Sequence, residues 1–312
     1  MRAITIPPGV AGLGLVLCGA CALAAPSGDA GPAGALASAL PGGGFTAAAG
    51  PGAGGTLAGT FRYHRVHSAF LPDDRTVIVY LPRSYATSPE RRYPVIYGHD
   101  GNNLFDAATA FMGREWRLDE TLEALTAQGR VPEAIAVGVY NTSARLFEYT
   151  WVPDAERRGG GGERHGRLLA EELKPFVDRT YRTLPDRDST TVLGSSLGGL
   201  ASFYLGRHRG DSFGRIGMLS PSIWWADRAI LADVPALRKD LRLWLDMGTA
   251  EGTAPADNVA NARRLRDALA EAGYTVGQNL GYLEDPGAAH DEGAWARRAP
   301  RVLEFLLAES AR

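Results

Sequence analysis

The chain has 312 residues, of which 22% are charged and 45% hydrophobic, and its formal net charge at pH 7 is -2. This length is sufficient for one large domain with a substantial buried core. The near-neutral charge, without any block of like charges, gives no reason to expect a nucleic-acid partner.

The N-terminal segment has the pattern of an export signal. A charged start at Arg2 is followed by an apolar run from about Val10 and by small residues that place cleavage near Ala24. The apolar run is shorter than the ~20 residues that span a bilayer. We therefore predict a signal peptide over residues 1–25 and a periplasmic or secreted protein.

Both cysteines of the chain, Cys18 and Cys21, lie in this segment. Its removal leaves no cysteine, which excludes disulfides, a thiolate nucleophile and cysteine-ligated metals. Lipidation of Cys21 is the alternative, and membrane attachment is expected only in that case. Cys18, however, stands where a lipoprotein signal usually has a large aliphatic residue.

Residues 26–60 consist mostly of Gly, Ala and Pro and show no hydrophobic period. Such a segment buries too little apolar surface to offset its ordering entropy, so we predict a flexible linker. The sequence is globular from Phe61 onward, which predicts one domain over residues 61–312.

Within this domain, short apolar runs alternate with amphipathic segments, which predicts a mainly parallel sheet with helices on both faces. In chain order, the predicted strands cover residues 75–82, 93–98, 134–140, 190–194, 214–219, 241–247 and 280–283. The predicted helices cover residues 115–128, 167–181, 258–272 and 292–310, and a further helix starts at residue 200.

The stretch TTVLGSSLGGLASF, residues 190–203, places a serine in a tight turn between a strand and a helix. Ser196 has Gly194 two places before it and Gly198 two places after it, the spacing of a nucleophile elbow. Ser195 lacks that spacing. We therefore predict Ser196 as a nucleophile, with a Gly/Ser-rich turn of no catalytic function as the alternative.

A serine hydroxyl needs a base, and the base needs an acid that orients it. His290, in the loop GAAHDEGAW after the last predicted strand, stands where doubly wound hydrolases place the base. His99, near a strand end, is the competing candidate. Glu251, beyond the carboxyl end of its strand, is the preferred acid, and Asp246 within that strand is the alternative.

Several motifs together resemble the esterase D-like family of α/β-hydrolases, which includes siderophore esterases, feruloyl and acetylxylan esterases, S-formylglutathione hydrolases and mycolyltransferases. The resemblance covers nearly all of residues 61–310. The motifs are RTVIVYLPRSY, YPVIYGHDGNNLFD, VGVYNTSARLFEYT, GSSLGGLAS, LSPSIWW, GTAE and AAHDEGAW.

This resemblance implies a single α/β-hydrolase domain in which Ser196, His290 and Glu251 match the family's catalytic residues. It also implies an oxyanion hole made by the backbone N–H groups of Asn102 and Leu197. Removing one such donor typically costs on the order of 100- to 1000-fold in rate.

Five side chains near these motifs are candidates for substrate binding. They are Phe105, Arg145, Glu148, Trp224 and Trp225. Packing or loop pairing is the equally weighted alternative for all five.

The sequence thus predicts an exported serine carboxylic-ester hydrolase that acts on acyl esters of carbohydrates or related natural products. A siderophore esterase, or an acyltransferase that uses the same residues, is the alternative, and a binding module that retains only the fold is less favoured. No cofactor and no metal site is predicted, because the combination of His64, His67, His99 and Asp100 matches no recognised ligand spacing.

Overall fold

The computed structural model describes residues 44–50 and 55–308. The predicted signal peptide, both cysteines and much of the predicted linker lie outside these residues. Within the described ranges, no helix combines the length and the apolar character that a membrane crossing requires.

The described residues form a nine-stranded sheet with the strand order β1-β2-β3-β5-β4-β6-β7-β8-β9. Strands β1, β2, β3 and β5 pair antiparallel in that order, whereas β5, β4 and β6 to β9 are parallel. The strands are β1 Gly44–Ala48, β2 Thr60–His67, β3 Arg75–Leu81, β4 Val95–His99, β5 Ile135–Val139, β6 Thr190–Ser195, β7 Arg215–Leu219, β8 Arg242–Gly248 and β9 Leu280–Asp285.

Helices cover both faces of this sheet. They are α1 Leu118–Ala127, α2 Arg145–Glu148, α3 Gly162–Arg167, α4 Lys174–Thr180, α5 Leu197–His208, α6 Trp225–Arg228, α7 Ile230–Asp233, α8 Pro255–Glu271 and α9 Glu292–Leu307. A π-helical segment, Leu168–Leu173, joins α3 to α4.

The central strands supply one apolar core to each face of the sheet. Val95 and Tyr97 of β4 pack in the core beneath α4, α5 and α8, whereas Ile96 between them packs in the core beneath α1 and α9. This alternation follows from the two-residue period of a strand. Because both faces of the sheet are buried, the sequence of β4 is a continuous apolar run rather than an alternating one. The predicted parallel sheet with helices on both faces is confirmed.

The N-terminal boundary of the domain differs from the prediction. Strand β1 lies inside the range predicted to be a linker, and it pairs antiparallel with β2. The Phe45 ring stacks on Phe176 of α4, with 4.1 Å between ring centroids. Pairing with β2 and the stacking of a single aromatic ring stabilise β1. Neither is visible in its glycine- and alanine-rich composition, so the sequence did not predict this strand.

We expect Phe45→Ala to lower the free energy of unfolding by about 1–2 kcal/mol, because it removes a half-buried ring and its stacking partner. Urea unfolding followed by tryptophan fluorescence measures the change. Thr46→Ala, at the exposed neighbouring position of β1, is the matched control. Equal effects of the two substitutions would show that β1 gains nothing from the Phe45–Phe176 contact.

Candidate active site

The turn after β6 holds Ser196 in a backbone conformation that residues other than glycine rarely adopt. Its φ is 56° and its ψ is -122°. Such conformations cost about 1–3 kcal/mol for residues other than glycine and cluster at functional sites. The Ser196 N–H donates to the carbonyl oxygen of Leu219 at 3.0 Å, which fixes the turn to the end of the neighbouring strand β7.

The two flanking glycines allow this turn to be so tight. A Cβ atom at Gly194 would lie 2.8 Å from the carbonyl carbon of Gly198, and a Cβ at Gly198 would lie 3.1 Å from the His99 Cβ. The first contact would be with a backbone atom, so no movement of a neighbouring side chain can relieve it. Helix α5 begins at Leu197, three residues before the predicted start, because the low helix propensity of the glycines there concealed its first turn.

The Ser196 hydroxyl is also held near the loop after β7. Its Oγ lies 3.3 Å from the Oγ of Ser222. The Ser222 N–H donates to the Ser196 carbonyl oxygen at 3.0 Å. The polar environment of Ser196 is therefore contributed by the ends of β6 and β7 together.

The structure brings His290 and Glu251 into direct contact. The Nδ1 atom of His290 lies 2.7 Å from Oε2 of Glu251, and Trp295 packs edge-on against the imidazole at 5.0 Å between centroids. Among the described residues, no hydrogen bond joins His290 to Ser196. The two side chains line the same cavity, which has a volume of about 500 Å³.

Glu251 is almost wholly buried, and both of its carboxylate oxygens have partners. Its Oε1 accepts from the Gly248 N–H at 2.6 Å and from the Ser220 hydroxyl at 2.5 Å. Its Oε2 faces His290. The carboxylate is thereby fixed with one oxygen on the imidazole, the arrangement that orients a histidine tautomer.

Asp246, the alternative acid, has a different partner. It forms a buried ion pair with Arg298, whose Nη1 lies 2.9 Å from Oδ1 of Asp246. Its Oδ2 accepts from the Trp244 indole at 2.7 Å. Burial raises the pKa of Asp246 to about 6, even though Arg298 acts to lower it.

Ser220 connects this ion pair to Glu251. The Ser220 Oγ accepts from Nη2 of Arg298 at 2.9 Å and from the Trp295 indole at 3.0 Å, while its hydroxyl donates to Glu251. These contacts of Ser220 and Arg298 were not predicted, because they join residues about 75 positions apart. The motif LSPSIWW, which includes Ser220 and Ser222, was the available signal.

The predicted oxyanion donors lie at the ends of two adjacent parallel strands. Asn102 is in the turn directly after β4, and Leu197 is the first residue of α5 after β6. The N–H of a first helical residue has no acceptor within the helix. Gly101 brings the turn against β5, because a Cβ there would lie 2.4 Å from the carbonyl carbon of Gly138.

Side chains from distant segments support the turn that contains Asn102. The Asn103 amide donates to Oε1 of Glu292 at 3.2 Å, and the Thr109 hydroxyl donates to the Asn102 carbonyl oxygen at 2.7 Å. Burial raises the pKa of Glu292. Glu292 begins α9 two residues after His290, so one short segment positions both the imidazole and the turn opposite it.

Arg145, a candidate substrate-binding residue, lines the cavity. Its Nε and Nη2 both donate to Asp100 at 2.7 Å, and its guanidinium lies 5.1 Å from the centroid of the Tyr149 ring. The Asn141 amide also donates to Asp100, at 2.6 Å. Asp100 thus holds the guanidinium in a fixed orientation at the cavity wall.

The three aromatic residues predicted to line the pocket do not do so. Phe105 and Trp225 are fully packed in the cores, and the Trp225 indole donates to the Val152 carbonyl oxygen at 2.7 Å. Trp224 is 44% exposed, but it stacks beneath Arg157 away from the cavity. The cavity wall instead contains the rings of Trp295 and Phe111. Phe111 is 66% exposed, and it was not predicted because nothing in the sequence of its loop marks it.

His99, the competing base, is buried behind the elbow. Its Nδ1 lies 3.3 Å from Nε2 of His165, and its ring packs against Tyr149. Burial lowers the pKa of His99 to about 4, so the ring is neutral at pH 7. It does not line the cavity, and the structure gives it a packing role.

We expect Arg298→Met to lower the free energy of unfolding by about 3 kcal/mol at pH 8, because it leaves Asp246 buried without its counter-ion. The loss should be smaller at pH 5.5, where Asp246 takes up a proton. Urea unfolding at the two pH values measures this, and Arg297→Met, exposed on the same helix, is the control. A similar loss for both arginines would contradict a stabilising role of the buried pair.

We expect His99→Gln to flatten the acid side of the stability profile. Because burial lowers the folded-state pKa of His99 below its ordinary value of 6.5, the unfolded state binds more protons between pH 6.5 and 4. The wild type should therefore lose stability relative to the variant as the pH falls, by at most about 1 kcal/mol per pH unit. Parallel profiles for the two proteins would contradict a buried, neutral His99.

Comparison with known proteins identifies relatives over most of the chain. Two proteins of Bacillus subtilis strain 168 are among them. The uncharacterized protein YbbA is 26% identical over 248 residues, 76% of this chain and 94% of its own length. Ferri-bacillibactin esterase BesA is 31% identical over 183 residues, 51% of this chain and 58% of its own length.

Solved esterase structures have the same fold. The enterobactin esterase FES from Shigella flexneri superposes with a TM-score of 0.64 at 22% identity, covering 80% of this chain and 60% of that one. A ferulic acid esterase superposes with a TM-score of 0.62 at 17% identity, covering 80% and 98% of the two chains. The fold is that of the α/β-hydrolases, and the family described as "Putative esterase" matches residues 68–305. The chain belongs to this family of esterases.

Proposed function

We propose that this protein is a serine carboxylic-ester hydrolase in which Ser196 is the nucleophile, His290 the base and Glu251 the orienting acid. The observation that carries the proposal is the buried Glu251, bonded at 2.7 Å to an imidazole that shares a cavity with the strained Ser196. Apo active sites often have long or unformed hydrogen bonds between nucleophile and base. Two side chains on one cavity wall are compatible with such a pair.

In the proposed reaction, His290 removes the Ser196 proton through Nε2 as Oγ attacks the ester carbonyl carbon. Glu251, at Nδ1, keeps Nε2 unprotonated beforehand and stabilises the imidazolium afterwards. The N–H groups of Asn102 and Leu197 stabilise the oxyanion. His290 then protonates the departing alcohol, and a water molecule activated by the same imidazole releases the acid from Ser196.

The substrate we propose is a small-molecule natural-product ester of the siderophore type. BesA, at 31% identity, is named as an esterase of ferri-bacillibactin. The lining of the cavity supports a polar substrate with an aromatic part. Its polar members include Asp100, Asn141, Arg145 and Glu292, and its aromatic members are Phe111 and Trp295. Arg145 Nε and Nη2 are bound to Asp100, whereas its Nη1 has no partner among the described residues and can donate to a substrate oxygen.

A feruloyl or related carbohydrate ester is the second candidate. A relative from Xylanibacter ruminicola, named endo-1,4-beta-xylanase/feruloyl esterase, is 23% identical over 236 residues, 75% of this chain but 29% of its own length. The exposed Phe111 ring can stack on an aromatic acyl group of such a substrate. An acyltransferase would use the same residues with an alcohol in place of water.

We also propose export, with cleavage of residues 1–25. The charged start, the apolar run and the small residues before Ala25 support it. Mass spectrometry of the protein recovered outside the cytoplasm tests it. A mature N-terminus near Ala25 is expected, a lipidated Cys21 would support the alternative, and an intact Met1 would contradict cleavage.

We expect Ser196→Ala to lower kcat/KM for every hydrolysed ester by at least about 1000-fold, because the acyl-enzyme can no longer form. Initial rates are measured on enterobactin, p-nitrophenyl acetate and butyrate, methyl ferulate and acetylated xylan. Product analysis with added alcohol distinguishes hydrolysis from acyl transfer. Ser88→Ala, remote from the cavity, is the control, and undiminished activity of Ser196→Ala would refute the proposed nucleophile.

A further inference from the structure

A cluster of three carboxylates lies outside the cavity that contains Ser196. Glu115 precedes α1, and Asp119 and Glu120 are in its first turn. One carboxylate oxygen from each lies within 4.8 Å of the corresponding oxygens of the other two. We refer to these three residues as the carboxylate cluster.

Each of the three carboxylates has one oxygen with a hydrogen-bond or ion-pair partner. Glu115 Oε1 accepts from the Thr56 hydroxyl, Asp119 Oδ2 accepts from the Ala58 N–H at 2.7 Å, and Glu120 Oε1 lies 3.2 Å from Nε of Arg117. The segment that contains Thr56 and Ala58 is therefore tied to the cluster from one side.

The second oxygen of each carboxylate is buried without a partner among the described residues. These atoms are Glu115 Oε2, Asp119 Oδ1 and Glu120 Oε2. The Asp119 residue is 0% exposed and Glu115 is 9% exposed. The Glu120 side chain is 26% exposed, but its second oxygen is inaccessible to water like those of Glu115 and Asp119. Unpaired carboxylate oxygens that water does not reach carry a desolvation cost that a bound cation would remove.

The donor set selects a hard cation. Ca²⁺ takes carboxylate and water oxygens at about 2.3–2.6 Å, so two of its ligands can be up to about 5 Å apart. Mg²⁺, at about 2.0–2.1 Å, requires a tighter set. A separation of up to 4.8 Å suits the larger ion.

Charge and access are also compatible with a divalent ion. The three carboxylates contribute three negative charges and Arg117 one positive charge, leaving two to be neutralised. Glu115 and Glu120 border an open cavity of about 760 Å³, through which an ion and its remaining water ligands can enter.

We propose that Glu115, Asp119 and Glu120 bind a Ca²⁺ ion, one oxygen each, which fixes residues 56–58 to the start of α1. The ion would also stabilise the turn that contains Asn102. The Trp116 N–H donates to the Asn103 carbonyl oxygen at 2.8 Å, and the Leu118 N–H donates to the Leu104 carbonyl oxygen at 3.0 Å. The site does not depend on the proposed esterase function.

A proton is the competing occupant of the cluster, because burial raises the pKa of Asp119 to about 8. A shared proton would satisfy one of the free oxygens without any metal. Asp119→Asn removes the charge of this side chain and keeps its shape. If Ca²⁺ is the occupant, the substitution should abolish the Ca²⁺-dependent rise in Tm. If a proton is the occupant, the variant should be as stable as wild type without metal.

The test measures Tm for the full-length mature protein at pH 7.5 in EDTA, in 5 mM CaCl₂ and in 5 mM MgCl₂ at matched ionic strength. For a Ca²⁺ Kd of about 0.1 mM, typical of extracellular sites, we expect Tm to rise by roughly 5 °C in CaCl₂. MgCl₂ should have a smaller effect. The rise should be lost in Asp119→Asn and Glu115→Gln and retained in Glu271→Gln, a control at an exposed position of α8.

Tb³⁺ luminescence excited through tryptophan provides a second readout, because Trp116 is adjacent to Glu115 in the chain. We expect sensitised emission that Ca²⁺ displaces and that Asp119→Asn abolishes. If wild type shows neither a Ca²⁺-dependent Tm nor Tb³⁺ emission, the proposal is wrong. If Asp119→Asn is as stable as wild type without metal, and wild type does not respond to Ca²⁺, a proton occupies the cluster instead.

Discussion

The close approach of two glycine backbones, Gly194 at the end of β6 and Gly198 in the first turn of α5, is the constraint on which the rest of the site depends. This approach makes the turn between β6 and α5 very short, and it forces Ser196, the residue in that turn, into its strained backbone conformation. Because β6 is central in the sheet, the turn also lies between the ends of β4 and β7. The neighbouring strands can therefore bring an N–H donor and a second hydroxyl to the same serine.

A second constraint is the buried charge beneath α9. Arg298 on that helix pairs with Asp246 and bonds to Ser220, and Ser220 in turn bonds to Glu251. The same helix begins two residues after His290, and Glu292 in its first turn supports the turn opposite. One helix thus positions the imidazole, its carboxylate and the predicted oxyanion turn. A buried network of this kind tolerates little change, since removing one member leaves the others unpaired.

The sequence predicted what short-range patterns control. The glycine spacing around Ser196 is a local pattern. Glu251 and His290 were predicted from their places after successive strands, and the structure places Glu251 against His290. It did not predict what depends on long-range packing. Phe105 and Trp225 are core residues, and a place near a motif does not reveal this, because burial depends on the segments that pack against each ring. Strand β1 was missed because pairing, rather than its own composition, stabilises it.

The most direct test of the proposed nucleophile is to react the mature protein with a p-nitrophenyl phosphonate and to map the modified peptide by mass spectrometry. The peptide that contains Ser196 also contains Ser195, so fragmentation must separate the two. We predict one stoichiometric adduct on the Ser196 Oγ, greatly slowed in His290→Ala. An adduct on Ser195, or full esterase activity in a protein whose Ser196 stays unmodified, would contradict the account.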